Sequence, residues 1–110
     1  MNQVIFMGRL TKDPETRQTG ETTITKYTLA VSRRKGDEAD FIPVVAFNKS
    51  AEFAERYFKK GMRICISGHV QTGSYEKDGV KVFTWNVVAD NQEFCESKKD
   101  DVLDLDKLFA

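Results

Sequence analysis

Histidine, tryptophan, cysteine and proline are all scarce in this chain: one, one, two and two in 110 residues. Cys65 and Cys95 stand far apart, with no Cys-x-x-Cys pair and no Cys/His cluster. That excludes the usual zinc sites. The lone His69 has the pattern of an exposed or partner-facing strand residue and no acid–base partners in any motif. No G-x-G-x-x-G, Walker loop or H-E-x-x-H is present. Paired acids such as Asp37-Glu38 and Asp100-Asp101 fall in polar loop or tail sequence, not in a catalytic dyad. No catalytic residue, metal or cofactor is therefore expected, and no enzyme. Long apolar runs are also missing. Nothing approaches the roughly 20 residues that cross a bilayer, and the first ten residues alternate and do not form a signal run. The expected place is the cytoplasm, with reduced thiols and no membrane partner. Finally, the charges cancel, with 17 Lys/Arg against 17 Asp/Glu. This argues against a polybasic coat but leaves a local cationic groove open.

What is present is aromatic and β-branched. Eight Phe and three Tyr are spread through a chain of one-domain length. Fourteen basic residues face twelve acids through Cys95; from Glu96 on, three face five. The chain thus divides into a slightly basic body, residues 1–95, and a short acidic tail, residues 96–110. Asn2 to Leu10 alternates on two partly apolar faces, as in a barrel or an oligomer. Lys12-Asp13-Pro14-Glu15 and Gly20-Glu21 are turn chemistry. Thr22 to Arg33 and Asp40 to Asn48 read as strands, with Pro43 marking an edge or bulge in the second.

Ser50 to Lys60 changes period. Phe53, Ala54, Tyr57 and Phe58 make one helical stripe. Ser50 is the expected N-cap, Gly61 the terminating glycine, and Lys59 and Lys60 the last-turn cations. Met62 to Tyr75 and Val80 to Ala89 are the final strands, with Gly68 the expected bend. They are joined at Asp78-Gly79, a hairpin turn; from Asn91 the pattern fades. Three strands, a helix and two strands is the order of an all-β, five-stranded OB-fold Greek-key barrel with one short α-helix between strands 3 and 4. An SH3-like barrel fits less well, since it lacks such a helix.

Sequence-tolerant binding of single strands needs flat π faces for bases and cations for the backbone. Phe41 and Phe47 share one parity of the third strand, and Tyr75 stands near the tip of the long hairpin. Arg33, Arg34 and Lys35 form a basic loop; Lys49, Lys77 and Lys81 lie near the rings in sequence. For each ring the ordinary alternative is the core, and for each charge cluster a solvated face. Phe53, Tyr57, Phe58 and Phe83 are expected in the core. Trp85 is undecided, with core or a subunit interface ahead of a base platform.

Several segments resemble the bacterial single-stranded DNA-binding protein family. They are Asn2 to Glu15, Tyr27 to Arg34, Asp40 to Glu52, Tyr57-Phe58-Lys59-Lys60-Gly61 and Val87-Val88-Ala89-Asp90, in order over roughly residues 2–94. The resemblance implies sequence-nonspecific binding and protection of single-stranded DNA in replication, recombination and repair, usually as a homotetramer, with a dimer as the alternative. It places stacking rings on Phe41, Phe47 and Tyr75. It leaves Arg9, Arg17, Arg33, Arg34, Lys49, Lys60 and Lys77 as backbone contacts. A further family aromatic falls near Lys35; here the aromatic is absent, so one platform is lost or replaced by a phosphate contact. Basic residues common before Tyr75 are missing, with Gln71 and Gly73 in their place, and both changes imply weaker or more salt-sensitive binding. The family's acidic tip recruits replication and repair proteins. Asp100, Asp101, Asp104, Asp106 and Phe109 resemble it imperfectly, because Ala110 ends the chain in place of Phe and the proline is missing. Two other readings remain at this point: an accessory primosomal or RNA-binding OB-fold protein, and a tail-mediated protein-interaction module.

Overall fold

A computed structural model describes residues 1–95. Its elements are β1 (Val4–Leu10), β2 (Glu15–Thr19), β3 (Thr22–Ser32), β4 (Ala39–Phe47), α1 (Lys49–Tyr57), β5 (Arg63–Lys77) and β6 (Val80–Phe94). The strands form one sheet in the order β1-β5-β6-β4-β3-β2, and β1 also pairs with β3, which closes the barrel.

One strand more is present than the pattern predicts. β1 pairs antiparallel with β3 at Arg9–Ala30 and Leu10–Leu29, and β2 continues along β3 from Glu15–Lys26 to Thr19–Thr22. The Thr11 amide bridges to the Thr28 carbonyl between them. β1 and β2 are therefore two halves of one long first strand, broken at Lys12-Asp13-Pro14. Proline lacks the amide the ladder needs, so the chain leaves the sheet there and returns. The five-strand barrel order holds, with its first strand split.

The core follows the period-two pattern. Tyr27 and Leu29 of β3, Ile42, Val44 and Ala46 of β4, Ile64 and Ile66 of β5, and Val87 and Ala89 of β6 point inward. Pro43 pairs with Thr28 on the β3 side, and the parallel pairing of β4 with β6 begins only at Val44–Val87. The residue thus sits where one side of β4 is still a free edge. Gly68 lies at a register break: Ser67 pairs with Asn91 and Gly68 with Ala89, which leaves Asp90 extra. A Cβ on Gly68 would stand 1.9 Å from the Val88 carbonyl oxygen, so only glycine permits this approach.

α1 closes one mouth of the barrel with Ala51 and Ala54, and Phe58 follows it into the core. Its start differs from expectation. Asn48, not Ser50, is the N-cap, at φ 54° and without a side-chain cap. Asparagine is among the few non-glycine residues enriched at positive φ, and the Asn48 backbone amide donates to the Thr23 carbonyl at 2.8 Å. The helix ends at Tyr57, so Lys59, Lys60 and Gly61 lie beyond it, and Arg56 is the last-turn cation. Gly61, at φ 87°, serves the turn into β5, its amide donating to Leu10. Two hydroxyls tie the helix down. Thr25 donates to the Ala51 carbonyl at 2.9 Å. Tyr27 donates to Gln92 Oε1 at 2.8 Å, and Gln92 Nε2 donates to the Ser50 carbonyl at 2.9 Å. Burial pushes the Tyr27 phenol far above its ordinary pKa.

Two rings expected in the core are not there: Tyr57 and Phe83 are both exposed, and Phe53 is only partly buried. β6 also runs five residues past Ala89, to Phe94.

Candidate nucleic-acid interface

Directly paired residues on neighbouring strands project from the same face of a sheet. On the outer face of β4 this rule assembles rows. Arg17, Ile24 and Phe47 form one across β2, β3 and β4. Lys26, Val45, Val88 and His69 form the next, across β3, β4, β6 and β5. Arg9, Ala30 and Phe41 form a third. From His69 the alternate residues Gln71, Gly73 and Tyr75 continue the same face along β5.

Phe41, Phe47 and Tyr75 therefore share one continuous sheet face, and they are 63%, 37% and 52% exposed. None is sealed inside the barrel, because Ile42, Val44 and Ala46 fill the core from the opposite side of β4. Phe41 and Phe47 are six residues apart on one strand, or about 20 Å along the sheet. Tyr75 stands out on the β5–β6 arm, which extends past the barrel. Its turn has positive φ at both Asp78 and Gly79.

The basic candidates separate into groups. Arg17 and Arg9 lie on the ring-bearing face, although Arg9 also donates through Nη1 to the Gly61 carbonyl at 2.8 Å. Lys49 follows Phe47 at the helix start, and Lys77 is at the arm tip, paired with Val80. Arg34 and Lys35 are exposed on the loop between β3 and β4, at the end of the strands nearest Phe41. Arg33 in the same loop is held by Glu38 at 2.6 Å and Asp40 at 3.0 Å, so much of its charge is answered within the chain. Lys60 is off the sheet, on the connection from α1 to β5, its amide donating to Asp13 at 2.8 Å.

Two further residues join this face. Lys26 stands between the Phe47 row and the centre of the sheet; its parity opposite Tyr27 and Leu29 was a sufficient signal for an outward cation. His69 sits midway between the β4 rings and Tyr75, with Nδ1 3.2 Å from Asp90 Oδ2. Asp90 is the extra residue at the Gly68 register break, a placement that no periodicity could reveal. Gln71 and Gly73 leave the stretch before Tyr75 without a cation. At the other end of β5, Cys65 and Cys95 are free thiols. Burial, with the neighbouring Cys65 and Glu93, raises the Cys95 pKa. Asp100, Asp101, Asp104, Asp106 and Phe109 lie outside the described residues.

Flat rings in the open, cations between and beside them, and backbone amides already spent in the sheet make a surface for stacking and charge pairing. Among the described residues no group of three or more His, Cys, Asp or Glu could hold a metal ion. No described helix is long and apolar enough to cross a membrane.

The sequence matches the family described as "Single-strand binding protein family" over residues 1–95. It is 46% identical over 101 residues to a single-stranded DNA-binding protein of Clostridium perfringens, covering 88% of this chain and 67% of that protein. A protein of the same name from Clostridium tetani is 50% identical over 103 residues, covering 87% of this chain and 71% of that one. Single-stranded DNA-binding protein 2 of Staphylococcus aureus strain Mu50 is 46% identical over 105 residues, with coverage of 89% and 74%.

Proposed function

Because the chain belongs to the single-strand binding protein family, we propose that it binds single-stranded DNA without sequence preference and carries out no reaction of its own. The observation that carries this reading is the exposure of Phe41, Phe47 and Tyr75 on one sheet face. Every base has a π face, so stacking discriminates little between sequences; each stacked base is worth about 1–3 kcal/mol. Arg17, Lys26 and Arg9 stand beside the β4 rings, and Lys49, Arg34, Lys35 and Lys77 extend the cationic border to the strand ends and the arm tip. These groups neutralise phosphates and release counterions. Each such contact steepens the salt dependence by about −0.7 in log K against log salt for single strands. The stretch at Gln71 and Gly73 adds nothing to that total.

Titration of labelled oligo-dT at two salt concentrations, beside a duplex of equal length, tests the reading. The expected result is strong preference for the single strand and clear weakening with salt. Phe41→Ala with Tyr75→Ala should fold normally and lose about 1,000-fold in affinity, near the middle of the range for two stacked bases. Equal affinity for duplex and single strand overturns the function, and unchanged binding by the double variant overturns the site.

The same reading extends to assembly. Val4 to Gly8 of β1 pair only with β5, so their other edge is open, and Ile5 and Met7 on that strand are exposed. An open edge with apolar side chains favours pairing with a second chain. We place the protein in the cytoplasm as a homotetramer serving replication, recombination and repair, with a mass measurement to separate tetramer from dimer. Deleting residues 100–110 tests the tail: partner recruitment should fall while DNA affinity holds.

A further inference from the structure

The β5–β6 arm has a second face. Thr72, Ser74 and Glu76 pair with Trp85, Phe83 and Lys81. Alternation turns these six residues away from Tyr75, to the side that becomes the core once the arm reaches Val70 and Val87. Beyond that point the core ends and the side chains continue into the open. Phe83 is 76% exposed and Trp85 44%. Each ring stands across from a small hydroxyl side chain, Ser74 opposite Phe83 and Thr72 opposite Trp85. Two residues along a strand separate them by about 6.8 Å, twice the strand rise of 3.4 Å per residue. That spacing matches the thickness of one flat base lodged between two flat neighbours. The Lys81 ammonium lies 5.4 Å from the Phe83 ring centre, on the tip side.

We propose that this back face is a second base-stacking site for single-stranded DNA, in which a strand passing over Tyr75 rounds the arm tip beside Lys77 and stacks on Phe83 and Trp85. The proposal rests on the single-strand reading above. Tyr75 pairs with Val82 and Ser74 with Phe83, so a front ring and a back ring occupy adjacent positions on the arm. The path from one to the other is short and continuous. A second protein copy fits the face less well. Two aromatic side chains offer at most about 500 Å² of contact surface, against roughly 800 Å² per partner in a stable interface. Glu76 and Asp78 balance Lys77 and Lys81 at the tip, so the back face holds bases mainly by stacking, whereas the face carrying Arg17 and Lys26 is salt-sensitive.

The chain has a single tryptophan, Trp85, so tryptophan emission reports this face alone. Full-length protein is titrated with fluorescein-labelled oligo-dT of about 4 and about 16 nucleotides, the span of site sizes for such a fold. Anisotropy reads total binding and tryptophan emission reads the back face. The expected result is quenching by the longer strand and little by the shorter. Phe83→Ala should weaken the longer strand about 10-fold and leave the shorter unchanged. Normal anisotropy with unaltered tryptophan emission overturns the proposal and leaves the single-strand reading intact. Absence of binding by anisotropy overturns that reading instead. Trp85 shielded from acrylamide in the free protein, with Trp85→Ala falling to a smaller mass in light scattering, also overturns it by assigning the face to a second copy.

Discussion

Tyr27 is buried, and its hydroxyl donates to Gln92, which in turn reaches the helix at Ser50. Burial favours the neutral phenol, so the folded pKa lies above the ordinary value near 10. The stability from this group is complete below about pH 10 and declines above it, because the unfolded chain ionises first. Tyr27→Phe should cost about 1–2 kcal/mol at neutral pH by removing the hydrogen bond and stranding Gln92. It should also remove part of the alkaline decline, as urea titrations at pH 7 and pH 10.5, a value set near the ordinary phenol pKa, would show. The sequence set Phe41 and Phe47 on one parity of β4 and left the core as their alternative; the structure decides it, because Ile42, Val44 and Ala46 on the other parity fill the core. Tyr57 and Phe83 were misread for two different reasons. The helix approaches the barrel closely and so buries Ala51 and Ala54 rather than its aromatics. Phe83 keeps the parity of the core on a strand that has already left it: parity tells which side a residue faces, not how far the core extends along that side.

At the scale of the element, the Asp78-Gly79 turn was evident from composition alone, since few other pairs accept positive φ at both positions. The split of the first strand was not. Pro14 read as the end of a strand, whereas β3 is long enough to receive the chain again at Glu15. The register break at Gly68 belongs to this scale too. It lets β6 carry Asp90 as an extra residue and turns that carboxylate toward His69. Gly68→Ala should destabilise the protein by about 1–3 kcal/mol, the usual range for overpacking, since the new methyl meets the Val88 carbonyl. Chemical denaturation measures that loss. A stability within error of the parent would mean that the two strands can separate at the break without cost.

Across the whole molecule, pairing is uneven. β5 and β6 are joined along nearly their full length, and β3 and β4 from Ile24–Phe47 to Ser32–Ala39. The barrel is closed between these ribbons by Val44–Val87 and Val45–Val88 on one side and by Arg9–Ala30 and Leu10–Leu29 on the other. The cylinder is thus two stiff plates stitched along two narrow seams, with α1 wedged in one end. Such a body opens like a clamshell. In hydrogen exchange under mild urea, the seam amide of Thr11, which donates to the Thr28 carbonyl, should lose protection before those linking β3 to β4 or β5 to β6. Phe41 and Phe47 ride on one plate and Tyr75 on the other. A polymer laid across all three would act as a clasp, and cargo and container would melt later together than the empty shell does alone.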